Sequence, residues 1–112
     1  MMKIKIAIFF NNNRGLSTLN YLIKKKKYII DIYLSKKNLN SKILKKIKKK
    51  FLIIKKINLS IISKIKKKKY DILVVAGWPL IFPQSLIKAS KFGTINMHAG
   101  KLQIPSGLPL MQ

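Results

Sequence analysis

Asp71-Ile72-Leu73-Val74-Val75-Ala76-Gly77-Trp78 is the most apolar run of the chain, and Gly77 stops it. A short continuous apolar run, β-branched at Ile72, Val74 and Val75, predicts a strand buried on both faces. Gly77 to Pro83 follows as a loop. Pro83 to Lys91 predicts a helix, with Pro83 near its first turn, where a missing N–H costs nothing. Gly93 to Met97 predicts one more strand. Strand, loop, helix and strand form the unit of a parallel sheet.

The same alternation runs back to the start. Lys3 to Phe10 is β-branched and aromatic and ends in the turn Asn11-Asn12-Asn13-Arg14-Gly15. Leu16, Leu19, Leu22 and Ile23 recur at three- and four-residue spacing, so Gly15 to Lys27 is a helix with one buried stripe. Tyr28 to Leu34 is a strand containing Asp31, and Ser35 to Ser41 is a loop. Ile43, Leu44 and Ile47 mark a helix to about Lys50, and Phe51 to Ile54 is a short strand. Leu59, Ile62 and Ile65 mark a helix closing on lysines 66–69. After Met97, Gly100, Pro105, Gly107 and Pro109 leave no regular pattern. Four strand–helix units and a fifth strand predict an α/β, Rossmann-like, doubly wound parallel sheet that ends after its fifth strand. Such sheets bind ligands beyond the carboxyl ends of their strands. That rule selects the loops Asn11 to Gly15, Gly77 to Pro83 and His98 to Gly107.

The chain has 112 residues, which suits a single domain. It has no cysteine. Disulfides, zinc–thiolate clusters and thiol nucleophiles are excluded, and a reducing compartment is suited. Lys and Arg number 25 against two acids, Asp31 and Asp71, for a net charge of +23. Such a charge attracts polyanions, whether nucleic acid or an anionic membrane. Codons rich in A and T encode Lys, Ile and Asn alike, which accounts for much of the lysine but not for the scarcity of acids. Lysines 24–27, 48–50 and 66–69 each close a helix or precede a strand, where solvated lysines complement a helix dipole. The apolar run Ile6 to Phe10 is too short for a signal peptide. The uncharged run Ile72 to Ile87 is shorter than the ~20 residues of a membrane span. A soluble, cytoplasmic protein with no membrane span is expected.

His98 is the only histidine. It follows a predicted strand on the ligand side of the sheet, and Asn96 lies two residues earlier, on the same face of an extended segment. An amide donor beside an imidazole is equipment for acyl transfer: the amide stabilises an oxyanion and the imidazole moves a proton.

Gly-Thr-Ile-Asn-Met-His-Ala-Gly-Lys-Leu, residues 93–102, resembles the active-site signature of the formyltransferases that use 10-formyltetrahydrofolate. That family includes methionyl-tRNA formyltransferase, glycinamide ribonucleotide formyltransferase and the amino-sugar N-formyltransferases. Residues 71–78 resemble the strand and loop that precede the signature, and residues 5–16 are similar to the family's first strand and turn. The resemblance implies that Asn96 holds the formyl oxygen as it becomes an oxyanion and that His98 assists proton transfer. It implies that the Gly77 to Pro83 loop holds the folate pterin, with Gly77, Trp78, Leu80, Ile81, Phe82 and Pro83 as its residues. Core packing is the competing role for Trp78 and Phe82. Asn11 to Arg14 is a candidate for the acceptor side. No metal is implied. The donor would be 10-formyltetrahydrofolate and the acceptor methionyl-tRNA, which suits the charge, or an amino-sugar nucleotide.

Two departures follow. Where the family carries Arg-Gly beyond the signature, this chain has Ser106-Gly107. The family's catalytic Asp lies a few tens of residues beyond the His, and the chain stops at Gln112. The sequence therefore reads as a partial formyltransferase N-terminal domain, residues 1–112, with downstream strands and a C-terminal domain absent and little activity by itself. The other readings are a non-catalytic basic module that binds nucleic acid and a vestigial product with no stable fold.

Overall fold

The computed structural model describes residues 2–98 and 101–103. In chain order the elements are β1 (Ile4–Phe10), α1 (Asn13–Ile23), β2 (Tyr28–Ser35), α2 (Ser41–Lys46), β3 (Phe51–Ile54), α3 (Leu59–Lys68), β4 (Ile72–Ala76), α4 (Gln84–Ile87), β5 (Thr94–His98) and β6 (Lys101–Gln103). The sheet order is β3-β2-β1-β4-β5-β6. The first five strands pair in parallel, and β6 pairs antiparallel to β5. The chain winds outward from β1 to β3 and then returns to β4 on the other side of β1, so strand order reverses between β1 and β4. The doubly wound α/β class is the one the sequence predicts. The sheet runs one strand further than expected, because three residues are too few to carry a period-two signal.

Period two divides the strands between two helical layers. Ile6, Ile8 and Phe10 of β1, Ile32 and Leu34 of β2 and Val74 and Ala76 of β4 pack with Leu16 and Leu19 of α1 and Ile43 of α2. Ala7, Phe9, Tyr33, Leu73 and Val75 face the other way, against Ile62 and Ile65 of α3 and Leu86 of α4. Burial of one such aliphatic side chain stabilises by roughly 1.5–3 kcal/mol, so these two layers supply the driving force for the fold.

Asparagine starts three helices. The side chains of Asn12, Asn40 and Asn58 accept hydrogen bonds from the first-turn N–H groups of Gly15, Lys42 and Ile61 at 3.0, 2.9 and 3.0 Å. Each cap contributes about 1 kcal/mol. Three helices are shorter than the sequence predicts. α1 ends at Ile23 because lysines 24–27 have no apolar face to bury and repel one another. α2 ends at Lys46, with Ile47 already extended. α4 stops at Ile87, and Pro83 is its N-cap. Beyond it Ser90 Oγ donates to the Gly93 carbonyl at 2.6 Å and accepts from the Gly93 N–H at 3.0 Å. This local turn takes the backbone out of the helix.

Both acids serve the framework. The Asp71 carboxylate accepts from the Lys5 backbone N–H at 2.8 Å, joining β1 to the start of β4. Asp31 accepts from the Tyr70 hydroxyl at 2.5 Å, and Tyr70 shares a 2.6 Å hydrogen bond with Tyr33. Burial of both phenols, with Asp31 beside them, raises the proton affinity of Tyr33 and Tyr70 above the ordinary tyrosine value.

Candidate active site

Three chain segments meet beyond the carboxyl ends of β1, β4 and β5. The first follows β1. Asn11 is buried, and its amide is fully engaged: Nδ2 donates to the carbonyls of Ser35 and Lys37 at 2.8 and 2.6 Å, and Oδ1 accepts from the Ser35 N–H at 2.9 Å. Asn12 caps α1. The acceptor-side expectation for Asn11 to Arg14 is thereby narrowed, since Asn11 and Asn12 hold backbone and only Asn13 and Arg14 are exposed without a capping role.

The second segment follows β4. Gly77 turns the chain with φ +63°, the left-handed region that favours glycine. It also lies against the first segment: a Cβ at Gly77 would overlap Nδ2 of Asn12. Trp78 and Phe82 then fold back onto Phe9 of β1 as edge-to-face pairs, with ring centroids 5.5 and 5.1 Å apart, while Phe9 stacks on Tyr33 at 4.7 Å. The aromatic ring of β1 therefore sets the path of the loop.

The third segment is the end of β5. Val75 pairs with Asn96 and Ala76 with Met97. Met97 faces α1, where Thr18 Oγ1 lies 3.4 Å from its sulfur. Asn96 faces the opposite layer and is exposed. β5 is fixed at its start by Thr94, whose buried hydroxyl donates to the Ile87 carbonyl at 2.7 Å. His98 is the last residue of β5, and its backbone pairs with Lys101. The side chain of His98 and residues 104–112, with Ser106 and Gly107, lie outside the described part.

A cavity of about 400 Å³ opens where these segments meet, lined by Val75, Gly77, Trp78, Leu80, Phe82, Ile87 and Asn96. Gly77, Trp78, Leu80 and Phe82 are thus brought together with Asn96, as the sequence predicts. Ile81 and Pro83 are not among the lining residues: Ile81 is 89% exposed and Pro83 caps α4. Trp78 and Phe82 pack on the core through Phe9, one of their two expected roles, and they also wall the cavity. The indole N–H of Trp78 is buried with no hydrogen-bond partner among the described residues. Val75 and Ile87 were not legible as site residues, because each reads as ordinary core.

No lining residue titrates, so the polar chemistry of the described walls is that of the Asn96 amide and nearby backbone. Such an amide, set in a partly apolar recess, can donate to a developing oxyanion. Among the described residues no group of three His, Cys, Asp or Glu side chains could hold a metal ion, and no helix is long and apolar enough to cross a membrane. A second cleft of about 380 Å³ lies between β3 and α3, lined by Tyr33, Ile61, Ile65 and the exposed Leu52 among others. It shares no residue with the Asn96 cavity and holds no amide or carboxylate.

No protein-family model matches the chain, and no curated protein matches it by sequence. Solved structures do match. A 4-N formyltransferase from Francisella tularensis superposes with a TM-score of 0.64 and 22% identity over 85% of this chain and 38% of that one. A sugar N-formyltransferase from Shewanella sp. FDAARGOS_354 superposes with a TM-score of 0.64 and 22% identity over 85% of this chain and 39% of that one. The chain thus spans about two fifths of the length of the structures it matches. At this identity the likeness shows the fold, and the fold of this chain is the one these two formyltransferases carry.

Proposed function

We propose that this chain supplies the donor-binding and oxyanion-holding part of a formyltransferase that moves a formyl group from 10-formyltetrahydrofolate to the amine of an amino-sugar nucleotide. The observation that carries the reading is the placement of Asn96 on the wall of a cavity whose other walls come from the Gly77 to Phe82 loop. That is the relation between donor loop and amide that the sequence resemblance implies. The apolar loop would receive the flat pterin, and the acceptor amine would attack the formyl carbon. Asn96 would donate to the formyl oxygen as charge gathers there, and His98 would assist the proton leaving the amine. Neither acid of this chain can serve as the family's carboxylate, because Asp31 is bound to Tyr70 and Asp71 to the Lys5 backbone.

The amino-sugar acceptor is preferred to methionyl-tRNA for two reasons. Both matched structures are formyltransferases, one described as acting on a sugar. The lysine charge that favoured tRNA in the sequence also lies mostly at the other edge of the sheet, away from Asn96.

Trp78 is the only tryptophan and walls the cavity, so its fluorescence is the direct test. A non-transferring reduced-folate analogue should quench it saturably, and Asn96→Asp should leave the fold intact while lowering any formyl transfer by on the order of a hundredfold. The slow transfer expected without the family's carboxylate, read by mass spectrometry after long incubation with an acceptor panel, should give N-formyl amino sugar. Failure of the folate to quench Trp78 would remove the donor assignment, and N-formyl-methionyl-tRNA as the only product would move the acceptor.

A further inference from the structure

The parallel sheet sorts lysines by position. Lys3 precedes β1, lysines 24–27 precede β2, lysines 48–50 precede β3, lysines 66–69 come just before β4, and Lys91 comes just before β5. Because β1 to β5 are parallel, all five groups lie along one edge, the amino end, opposite the edge that carries Asn96. Backbone hydrogen bonds draw neighbouring groups together: Ile4 N–H donates to the Lys27 carbonyl at 2.8 Å, and Lys91 N–H donates to the Tyr70 carbonyl at 3.0 Å. Strand spacing of ~4.8 Å makes the row roughly 19 Å wide across five strands. Every lysine in it is exposed. Asp71, just before β4, is the one acid on this edge, set against thirteen lysines, and Asp31 lies in the middle of β2, bound to Tyr70. By contrast, the loops at the carboxyl ends of β1, β2 and β3 hold Arg14 and lysines 36, 37, 55 and 56.

Charge alone would make only a general polyanion surface. Aromatic rings stand beside these lysines, one or four residues away in sequence. Lys25 Nζ lies 5.1 Å from the ring centre of Tyr21, which is 62% exposed. Lys27 Nζ lies 5.3 Å from the ring of Tyr28, and Lys91 Nζ lies 5.1 Å from the ring of Phe92, which is 38% exposed. Ammonium groups for phosphates beside rings for bases are the two parts of a single-strand binding surface.

We propose that the amino-end edge, with Tyr21 and Phe92 between its lysine groups, binds single-stranded nucleic acid without sequence preference, independently of the Asn96 cavity. Binding there does not present the nucleic acid to the acyl-transfer site, so it anchors the protein and is not acceptor recognition.

The test is fluorescence anisotropy with the 112-residue chain and a labelled mixed-sequence oligonucleotide of about 15 nucleotides. Two variants remove equal charge: K26Q/K48Q/K67Q/K91Q at the amino end and K36Q/K37Q/K55Q/K56Q at the carboxyl end. The amino-end set should weaken binding more than tenfold and flatten its salt dependence, and the carboxyl-end set should change it by less than about threefold. Tyr21→Ala should weaken oligonucleotide binding by about tenfold and leave heparin binding unchanged. Folate quenching of Trp78 should be the same with and without oligonucleotide. Equal losses from the two lysine sets would overturn the location. Insensitivity of oligonucleotide binding to Tyr21→Ala, or competition by phosphatidylserine vesicles with no aromatic dependence, would overturn nucleic acid as the ligand.

Discussion

Asn11 and Ser35 exchange two hydrogen bonds, Asn11 Nδ2 to the Ser35 carbonyl at 2.8 Å and the Ser35 N–H to Asn11 Oδ1 at 2.9 Å, and so tie the carboxyl ends of β1 and β2. Both residues are buried, Ser35 completely. Asn11→Ala would leave the Ser35 N–H and the Ser35 and Lys37 carbonyls without these partners, at a cost of about 2–3 kcal/mol. Asn11→Asp keeps the acceptor but turns a carboxylate toward two carbonyls, so it should destabilise at least as much. Chemical denaturation of the two variants checks the order; a near-neutral Asn11→Asp would contradict this pattern of donors and acceptors.

The buried phenols predict alkaline sensitivity. Tyr33 and Tyr70 hold their protons more tightly in the folded chain than at the ordinary value of 10.0, because burial disfavours the phenolate and Asp31 adds to the effect. Below pH 10 both states are protonated, and the stabilisation is complete. Above it the unfolded chain releases protons that the folded chain retains, so stability falls as pH rises. Thermal midpoints should drop above pH 10 in the native sequence and drop less steeply in Y33F/Y70F. Lysine deprotonation is common to both proteins and cancels in the comparison.

Removing Tyr70's hydroxyl alone should be more damaging than removing Tyr33's. Tyr70→Phe deletes the bond to Asp31 as well as the bond to Tyr33 and leaves a half-buried carboxylate without its donor. A loss of about 2 kcal/mol is expected for Tyr70→Phe and about 1 kcal/mol for Tyr33→Phe. Urea titration of the single variants decides this order.

Gly77→Ala meets two obstacles, a φ of +63° and the Asn12 amide in the space of the new Cβ. The conformational part costs about 1–2 kcal/mol, and the contact adds to it. Asn12→Gly removes the contact and keeps a tolerated N-cap, so the double variant N12G/G77A should recover part of the loss. A double-mutant cycle with no coupling would deny the contact between the two loops.

Lys69 closes α3 in the left-handed conformation, with φ 55°. Lys69→Gly should therefore stabilise the chain by about 0.5–1 kcal/mol, relieving a backbone strain that a side chain creates. A lower denaturation midpoint in this variant would contradict that account.

The fold was legible because each strand is a short apolar run closed by Asn, Gly or a polar loop, and the order of strands and helices leaves one topology class. Helix ends were less legible. Lysines at 24–27 continue a helical pattern in sequence, yet nothing holds them in a helix, and Ser90 diverts α4 by a local bond that periodicity cannot show. The placement of Asn96 beside the Gly77 to Phe82 loop was legible from motif and position. The sequence left Asn11 and Asn12 between a local turn role and the acceptor side, because an asparagine that binds backbone and one that binds a ligand look alike in sequence; both amides bind backbone. Each aromatic–lysine pair of the amino-end edge is local, at a spacing of one or four residues; what a linear reading does not show is that parallel strands collect these separate segments onto one edge.

The contact between Gly77 and Asn12 also has a reading over evolutionary time. A side chain at position 77 would displace the Asn12 amide from its cap, so the two positions should change together among relatives. The loop after β1 and the loop after β4 would then vary as one unit, and a substitution fixed in the first would leave its trace in the second.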